Sequence, residues 1–297
     1  MPALFRRRRT FGSRGGPSAQ RAAGVVACPR GGWYTVRRGG RWVRPGWGAP
    51  VVKLLSYNVL EGGLPDRLGL LARVIASAEA DVVALQEARH WRRNRRVIFR
   101  RLSRQLGMRG LLIQANSGFD LAVFTRLPML GHTNHGRDTI FLHTTASVDL
   151  RAPGGDVFTL FCTHLRPDYS SRRREAKLLR EWMRPYRRRY CAMCGDLNSL
   201  MAGDPVARRF IWAGSSLEQG PQGVIASIER GGWRDCFRLR NPRARGFTLG
   251  AGRRVARVDY IFASRPLAEK LTACRVLRHP EVVAASDHSP VWAEFAI

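Results

Sequence analysis

Several polar and ionisable residues lie at or beside the ends of short apolar runs. Each run is long enough for a buried strand. Strand ends at one edge of a layered sheet converge on one crevice, so we expect these side chains to meet there. The residues concerned are Asn58, Glu87, His164, Asp196, Asn198, Asp259, Asp287 and His288.

These residue types supply what the hydrolysis of a phosphodiester requires. The reaction needs a water molecule held in line, a positive charge on the phosphoryl oxygens, and a proton for the leaving oxygen. Oxygen ligands such as the carboxylate of Glu87 suit a hard divalent ion, Mg²⁺ or Mn²⁺. An imidazole such as that of His288 suits proton transfer near neutral pH.

Each residue also has a structural interpretation when it is taken singly. His164 shares a predicted strand face with Phe158, Leu160 and Cys162, which is also typical of a core histidine. An Asp-x-Asn sequence is typical of a turn, and a lone Glu after a strand is typical of a solvated loop. The histidines interpreted here as structural or surface residues are His90, His132, His135, His143 and His279.

The elements that position these residues follow from hydrophobic periodicity. Helical spacing predicts helices over Leu70–Ala78, Val97–Leu106 and Leu179–Tyr186, the last ending near Pro185. Gly154-Gly155 predicts a hairpin. Helices mixed with adjacent antiparallel strands favour an α+β or mixed α/β layered domain. The predicted strands are Val51–Ser56, Asp81–Leu85, Leu111–Gln114, Leu121–Thr125, Thr139–Leu150, Val157–Thr163, Tyr190–Cys194, Val258–Phe262, Cys274–Leu277 and Pro290–Phe295.

The six cysteines include one Cys-x-x-Cys pair, Cys191 and Cys194. This pair lies in a predicted strand, where residues three apart point to opposite faces. No second pair completes a zinc site. We therefore interpret the cysteines as reduced and structural.

Six segments, taken together and in order, match one family. They are Ser56-Tyr57-Asn58-Val59-Leu60, Leu85-Gln86-Glu87, Thr163-His164-Leu165, Gly195-Asp196-Leu197-Asn198-Ser199, Arg257-Val258-Asp259-Tyr260-Ile261-Phe262 and Ser286-Asp287-His288-Ser289-Pro290-Val291. The chain resembles the endonuclease/exonuclease/phosphatase superfamily, which has the deoxyribonuclease I-like fold, over about residues 51–297. The resemblance implies a four-layered α/β sandwich, in which two packed β-sheets are flanked by helices within one domain.

The resemblance also implies a metal site and a residue that acts on water. Glu87 would be the principal ligand of Mg²⁺ or Mn²⁺, with Asn58 and Asp287 completing or orienting the site. Asp196 would orient or deprotonate the attacking water. Asn198 would donate a hydrogen bond to a phosphoryl oxygen.

The resemblance implies roles for two histidines as well. His288 would be the general acid or base, and Asp259 would hold its imidazole. His164 would bind the phosphate or assist the leaving group. The sequence leaves open which histidine does which.

Two positions differ from the abasic-site endonuclease branch of this family. That branch usually has a carboxylate where this chain has Leu60, and a Tyr/Pro-type segment where this chain has Thr163-His164-Leu165. The chain therefore looks more like nonspecific nucleases, sphingomyelinases, deadenylases and tyrosyl-phosphodiesterases. Fold alone does not choose among their substrates.

The charge of the chain is strongly positive, +29, from 48 arginines and three lysines against 22 acidic residues. Such a surface attracts phosphate polyanions or anionic lipid. Eleven of the arginines lie in residues 1–50, which contain no acidic residue. We expect residues 1–50 to form a disordered, Arg/Gly-rich extension, separate from a catalytic domain at 51–297.

Two further groups of arginines bear on the substrate. Eight arginines fall between Arg89 and Arg104, just after Glu87, and others follow His164. A polymeric backbone needs such positive charge near the site, and we expect Arg166 and Arg172 to bind substrate phosphate. The alternative for the first group is the solvated face of a helix.

We therefore predict a monomeric, metal-dependent phosphodiesterase that hydrolyses nucleic acid. One alternative is a phosphatase or phospholipase, like a sphingomyelinase or inositol phosphatase, that uses the same site. Another is a noncatalytic protein that binds polyanions. The sequence has no apolar stretch of about 18 residues that would cross a membrane. The run Ala22–Cys28 is short for an export signal, so a cytoplasmic location is expected.

Overall fold

The computed structural model describes residues 50–63, 66–205, 223–253 and 255–297, together with the backbone of three strands nearer the start of the chain. The chain divides into two compact units, Met1–Gly48 and Ala49–Ile297. Each unit is described by itself below.

The first unit contains a three-stranded antiparallel sheet of β1 (Val25–Cys28), β2 (Gly32–Arg37) and β3 (Arg41–Val43), in that order. The expectation that residues 1–50 form a disordered extension stays a prediction. The three strands are rich in Val, Trp, Tyr and Thr, which favour a pleated surface. For the other residues of this segment, the expectation lies outside the described part of the chain.

The second unit contains twelve strands and seven α-helices within its described residues. The strands are β4 (Val52–Asn58), β5 (Val82–Gln86), β6 (Arg109–Ile113), β7 (Leu121–Thr125), β8 (Met129–Asn134), β9 (Thr144–Arg151), β10 (Val157–His164), β11 (Tyr190–Asp196), β12 (Arg234–Asp235), β13 (Asp259–Ala263), β14 (Leu271–Val276) and β15 (Val291–Phe295). The helices are α1 (Leu68–Ser77), α2 (Val97–Leu106), α3 (Tyr169–Met183), α4 (Val224–Arg230), α5 (Cys236–Arg240), α6 (Arg265–Ala268) and α7 (Val282–Ala285).

These strands form two mixed six-stranded sheets. The first has the order β14-β15-β4-β5-β7-β6 and the second β12-β13-β11-β10-β9-β8. Each sheet has one parallel pair at its centre, β4–β5 in the first and β10–β11 in the second. A parallel pair requires a crossover connection, which α1 provides in the first sheet and α3 in the second.

The sheets pack face to face, and helices cover their outer faces. One apolar core joins residues of both sheets, such as Leu54 and Val82 of the first with Leu160 and Ile261 of the second. A second core lies between the first sheet and helices α1 and α2, and a third between the second sheet and helices α3 and α4. The expected α+β fold, a four-layered sandwich, is confirmed.

The differences from the predicted elements are at sheet edges, in short helices and at the start of α3, which begins at Tyr169, ten residues before the predicted helix. Strand β8 was not predicted because it lies at a sheet edge and has no fully buried residue. Strand β9 begins at Thr144, five residues later than expected. Helices α4 to α7 have four to seven residues each, too few to show a helical period.

The cysteines of the second unit are free and buried, in agreement with their interpretation as reduced structural residues. In the described part of the chain, no helix is both long enough and apolar enough to cross a membrane.

Candidate active site

The central parallel pairs bring the predicted site residues to one edge of the two sheets. In the first sheet, Asn58 at the end of β4 is in register with Gln86 at the end of β5, and Glu87 follows. In the second sheet, His164 of β10 is in register with Asp196 of β11, which in turn pairs with Asp259 of β13. The convergence expected from the sequence is therefore present.

Asn58 joins the two halves of the site. Its side-chain nitrogen Nδ2 donates to Glu87 Oε1 at 2.9 Å and to Asp196 Oδ2 at 3.1 Å. Its oxygen Oδ1 accepts the backbone N–H of Leu60 at 3.0 Å. The amide of Asn58 therefore orients the carboxylates of Glu87 and Asp196, and its expected part in a metal site stays a prediction.

Two site residues have a left-handed backbone, which is uncommon outside glycine. Glu87 has a φ of 61° and Asn198 a φ of 47°. Glu87 directly follows β5, and Asn198 lies two residues after the end of β11, so both turns occur where a strand ends at the site. Backbone strain of this kind persists only where the surrounding structure holds it, here through contacts of Glu87 with Asn58 and with the N–H of Glu61.

Gly195 allows β11 to approach β10 closely beside Asp196. A Cβ atom at this position would lie 1.9 Å from the carbonyl oxygen of Thr163, and the residue has a φ of 145°. The glycine of the Gly-Asp-x-Asn segment is therefore required by backbone geometry.

His288 and Asp259 form a buried pair. His288 Nδ1 lies 2.8 Å from Asp259 Oδ2, and both side chains are almost fully buried. Burial alone disfavours the charged imidazole, but the adjacent Asp259 outweighs this and raises the pKa of His288 to about 10. His288 is therefore a cation at neutral pH, and its Nε2 faces Asp196.

His164 has the opposite electrostatic character. Burial, assisted by the charge of His288, lowers the pKa of His164 to about 3, so its imidazole is neutral. His164 Nε2 lies 3.5 Å from Asn198 Nδ2 and 3.6 Å from Asp196 Oδ2. The sequence left open which histidine does which, whereas the structure separates a charged His288 from a neutral His164.

Asp196 lies between these histidines. Its Oδ2 is 3.6 Å from His164 Nε2 and 3.8 Å from His288 Nε2, and its Oδ1 accepts the backbone N–H of Asn198 at 2.9 Å. Burial, together with the charge of Asp259, raises the pKa of Asp196 well above its usual value. A carboxylate with a raised pKa is a better proton acceptor.

Asp287 is the exposed member of the group. Its side chain is half exposed, and its Oδ1 lies 3.9 Å from His288 Nε2. Its backbone oxygen accepts the N–H of Ala251. The carboxylate therefore lies at the solvent side of the site.

His143 was missed by the sequence analysis. It lies just before β9, and its ring stacks on that of His164 with a centroid distance of 4.0 Å and an interplanar angle of 4°. Its Nδ1 lies 2.8 Å from Ser117 Oγ. Burial, and the proximity of His164, lower the pKa of His143 to about 2, so it is a neutral support for the ring of His164.

The two arginines expected to bind phosphate differ in position. Arg166 is partly exposed and pairs with Asp168 at 2.8 Å. Arg172 is fully buried, and its Nη1 donates to the carbonyl oxygen of Pro167 at 2.5 Å. Arg172 therefore supports the turn before α3 from a buried position, and its expected contact with substrate phosphate stays a prediction.

The arginines between Arg89 and Arg104 also differ in their surroundings. Arg89 pairs with Glu61 and lies over the ring of Phe119, whose edge in turn contacts His143. Arg100, Arg101 and Arg104 are on the exposed face of α2, whose opposite face packs Phe99, Leu102 and Leu106 into the core. For these three, the alternative of a solvated helix face holds.

The donor set at this edge fits a hard divalent cation. Glu87, Asp196, Asp259 and Asp287 bring four carboxylates together, and His288 is the one cation directly paired with them in the described residues. Glu87 forms no ion pair within those residues. Atoms of Asp196, Asp259 and His288 also lie within 4.8 Å of one another, close enough to share an ion. Oxygen ligands favour Mg²⁺ or Mn²⁺. An ion shared by Asp196, Asp259 and His288 would break the bond between His288 and Asp259, so the carboxylate of Glu87 is the better ligand.

A buried network of ion pairs supports the segment that carries Asn198. Arg257 Nε pairs with Asp204 at 2.7 Å, and Arg257 Nη1 pairs with Asp235 at 2.6 Å. The guanidinium also lies over the ring of Tyr260, 4.4 Å from its centroid. Tyr260 in turn donates to the carbonyl oxygen of Ser199, directly after Asn198. The network thus fixes the segment that carries Asn198 relative to β13.

Comparisons with known proteins agree with this geometry. The sequence model of the Endonuclease/Exonuclease/phosphatase family matches residues 55–288. No match was found among curated protein sequences.

Several solved structures are similar in fold. An AP endonuclease from Archaeoglobus fulgidus is 18% identical, with a TM-score of 0.65, over 83% of this chain and 100% of that one. The 3′ phosphatase NExo from Neisseria, bound to a product DNA hairpin, is 17% identical, with a TM-score of 0.64, over 82% of this chain and 99% of that one. The human Nocturnin catalytic domain with bound sulfate is 18% identical, with a TM-score of 0.60, over 83% of this chain and 93% of that one.

Proposed function

The chain belongs to the endonuclease/exonuclease/phosphatase family, and we propose that it is a divalent-metal-dependent phosphodiesterase that hydrolyses nucleic acid. One observation carries the proposal. Asp196 lies between a charged His288 and a neutral His164, beside Asn198, and the amide of Asn58 links it to the carboxylate of Glu87. This set contains a proton acceptor, a proton donor, hydrogen-bond donors for a phosphoryl group and a metal ligand.

Each protein group then has a defined part in the reaction. Asp196 holds the attacking water and accepts its proton. His288, kept protonated by Asp259, donates to the leaving oxygen or to a phosphoryl oxygen on which charge develops. Asn198 Nδ2 already donates to the carbonyl oxygen of Leu165 at 2.9 Å, so its second N–H is the one directed to phosphate.

Glu87 would hold the metal, with Asp287 contributing from the solvent side. A bound Mg²⁺ would polarise the phosphoryl oxygen and stabilise the charge that develops there. Asn58 positions the carboxylates of Glu87 and Asp196 through its two hydrogen bonds.

Replacing Glu87 with glutamine should weaken Mg²⁺ or Mn²⁺ binding by about 10- to 100-fold, since a neutral amide replaces the carboxylate ligand. Calorimetric titration of Mn²⁺ measures this without substrate. Glu269→Gln, an exposed glutamate on the surface, is the matched control. Equal Mn²⁺ affinity in the Glu87 variant and in the wild type would contradict the assignment of Glu87.

The positive charge of the chain supports a polymeric polyanion as substrate. A panel of single- and double-stranded DNA, RNA, a phosphomonoester, an inositol phosphate and sphingomyelin, each with Mg²⁺, tests this choice. We expect cleavage of nucleic acid at much higher kcat/KM than of the other substrates. Turnover of the monoester, the inositol phosphate or the lipid without nuclease activity would instead support the phosphatase or phospholipase alternative, and binding without turnover would support a noncatalytic protein.

A further inference from the structure

A row of cations follows one face of α3 and the turn after it. Arg173, Lys177, Arg180, Arg184 and Arg187 are spaced four, three, four and three residues apart, so they share one face of a helix. Helical backbone angles continue through Arg184 and Arg187. Like charges at this spacing destabilise a helix, so the row favours a partner that neutralises it.

This face borders three adjoining cavities. One of about 590 Å³ and one of about 630 Å³ share Lys177 and Arg180, and a third of about 370 Å³ shares Arg184 and Arg187 with the second. Arg230 of α4 lines the opposite wall. Among the described lining residues of all three cavities, Glu181 is the one acidic residue. We call this feature the α3 groove and define it by Lys177, Arg180, Arg184, Arg187 and Arg230.

Within the described residues, the arginines on the α3 side of the groove form no ion pairs. Eight other arginines in the described residues form ion pairs, but Arg180, Arg184 and Arg187 form none there. Arg180 lines two of the three cavities, where an anion in the groove would balance the charge of its guanidinium.

The groove begins on the chain segment that follows the active-site strand β10, and it leads away from the active site. Strand β10 ends at His164, and α3 starts five residues later at Tyr169, which lines the first cavity. Helix α3 then returns to the start of β11, at the end of the sheet far from Asp196. Fourteen residues separate Arg173 from Arg187, which corresponds to about 20 Å along a helix.

We propose that the α3 groove holds the sugar–phosphate backbone of a single nucleic-acid strand as it leaves the active site. The inference rests on the proposed function only in that the bound strand is the substrate. A charged groove that follows the backbone is the common means of binding single strands. The partly exposed ring of Tyr169, with Arg173 over one side at 5.5 Å, offers a surface on which a base can stack.

A membrane surface fits the groove less well than a nucleic acid does. The cations lie along cavities, whereas a lipid headgroup layer contacts a convex or flat face. Exposed apolar side chains beside the cations would strengthen binding to a membrane surface. The large exposed apolar residues of the described chain are Val97, Leu130, Ile140, Val157, Leu239 and Val283, and none of them lines the groove.

The test compares two double variants of the full-length chain that lose the same charge. Arg180→Gln with Arg184→Gln alters the groove. Arg100→Gln with Arg104→Gln alters the exposed face of α2 at the same four-residue spacing. Fluorescence anisotropy measures the binding of a labelled single-stranded oligonucleotide in EDTA at several salt concentrations. Hydrolysis of the small diester bis(p-nitrophenyl) phosphate with Mg²⁺ measures the activity of the active site independently of binding in the groove.

We expect the groove variant to bind the oligonucleotide about 10-fold or more weakly. The slope of log Kd against log salt should fall by about 1.4, or 0.7 for each lost phosphate contact on a single strand. The α2 variant should bind within about twofold of the wild type, and both variants should hydrolyse the small diester normally. The melting temperature of each variant establishes that it folds, and Arg173→Gln with Lys177→Gln is a second groove variant.

Equal oligonucleotide binding by the groove and α2 variants overturns the inference. So does loss of binding to phosphatidylserine vesicles alone, which would indicate a membrane partner. Failure of the wild type to hydrolyse any diester would overturn the proposed function instead, because the binding measurements in EDTA do not depend on turnover.

Discussion

Replacement of Asp196 with asparagine is expected to lower kcat for phosphodiester hydrolysis by about 10³-fold, the size of a lost general base. Asparagine keeps the size of the side chain and an oxygen that can accept the N–H of Asn198, but it cannot accept a proton from water. The binding of oligonucleotide in the absence of metal should change little. Single-turnover kinetics with Mg²⁺ measure the loss.

This variant should remain folded. Burial raises the pKa of Asp196, so its folded pKa lies above the unfolded one. A group of this kind stabilises the fold at low pH, and the contribution is lost as the pH rises through the folded pKa. Above that pH the ionised carboxylate destabilises the folded state. Asparagine carries no charge, so the melting temperature of the variant at pH 8 should fall little or rise.

Asp156→Asn is the matched control, since Asp156 is an exposed residue of the β9–β10 turn. It should retain wild-type kcat. Wild-type turnover in the Asp196 variant would remove Asp196 from the reaction and with it the observation on which the proposed function rests.

Replacement of Arg257 with leucine is expected to reduce the free energy of unfolding by about 3–5 kcal/mol, the usual cost of removing one partner from a buried ion pair. Arg257 is 1% exposed and contacts both Asp204 and Asp235. Arg238 still pairs with Asp204 in the variant, but Asp235 loses its only ion-pair partner in the described residues. Urea unfolding followed by circular dichroism measures the change.

Arg265→Leu provides the comparison for this second prediction. Arg265 is a highly exposed arginine in a surface pair with Glu269, and its replacement should alter stability by less than about 0.5 kcal/mol. If the Arg257 variant lost no more stability than the Arg265 variant, the buried network would not support the segment that carries Asn198.

The sequence predicted which side chains converge wherever these side chains lie at strand ends. Asn58, Glu87, His164, Asp196 and Asp259 each lie at the end of a strand with clear apolar patterning, and the register of central strands brings such ends together. The Gly-Asp-x-Asn segment was also informative, because its glycine is required where β11 approaches Thr163.

Other features depend on contacts that a pattern does not contain. His143 stacks on His164 from twenty-one residues away along the chain, and no local spacing indicates that contact. The orientation of the Asn58 amide follows from one backbone N–H, that of Leu60.

The burial of Arg172 could be predicted from the sequence. Arg172, Ala176, Leu179 and Met183 share the buried face of α3, at spacings of four, three and four residues. An arginine in phase with the apolar residues of a helix is expected to face the core. The same helical spacing places another set of residues on a second face of α3, the one that borders the α3 groove. They are Arg173, Lys177, Arg180 and Arg184.

The metal-dependent cleavage of a 5′-labelled oligonucleotide by the wild type and by His288→Ala, purified in parallel, tests the central claim most directly. We predict that the wild type cleaves in Mg²⁺, stops in EDTA and resumes when excess Mg²⁺ is added, while the variant stays inactive throughout. Cleavage that persists in EDTA, or that is equal in the His288 variant, would contradict the account.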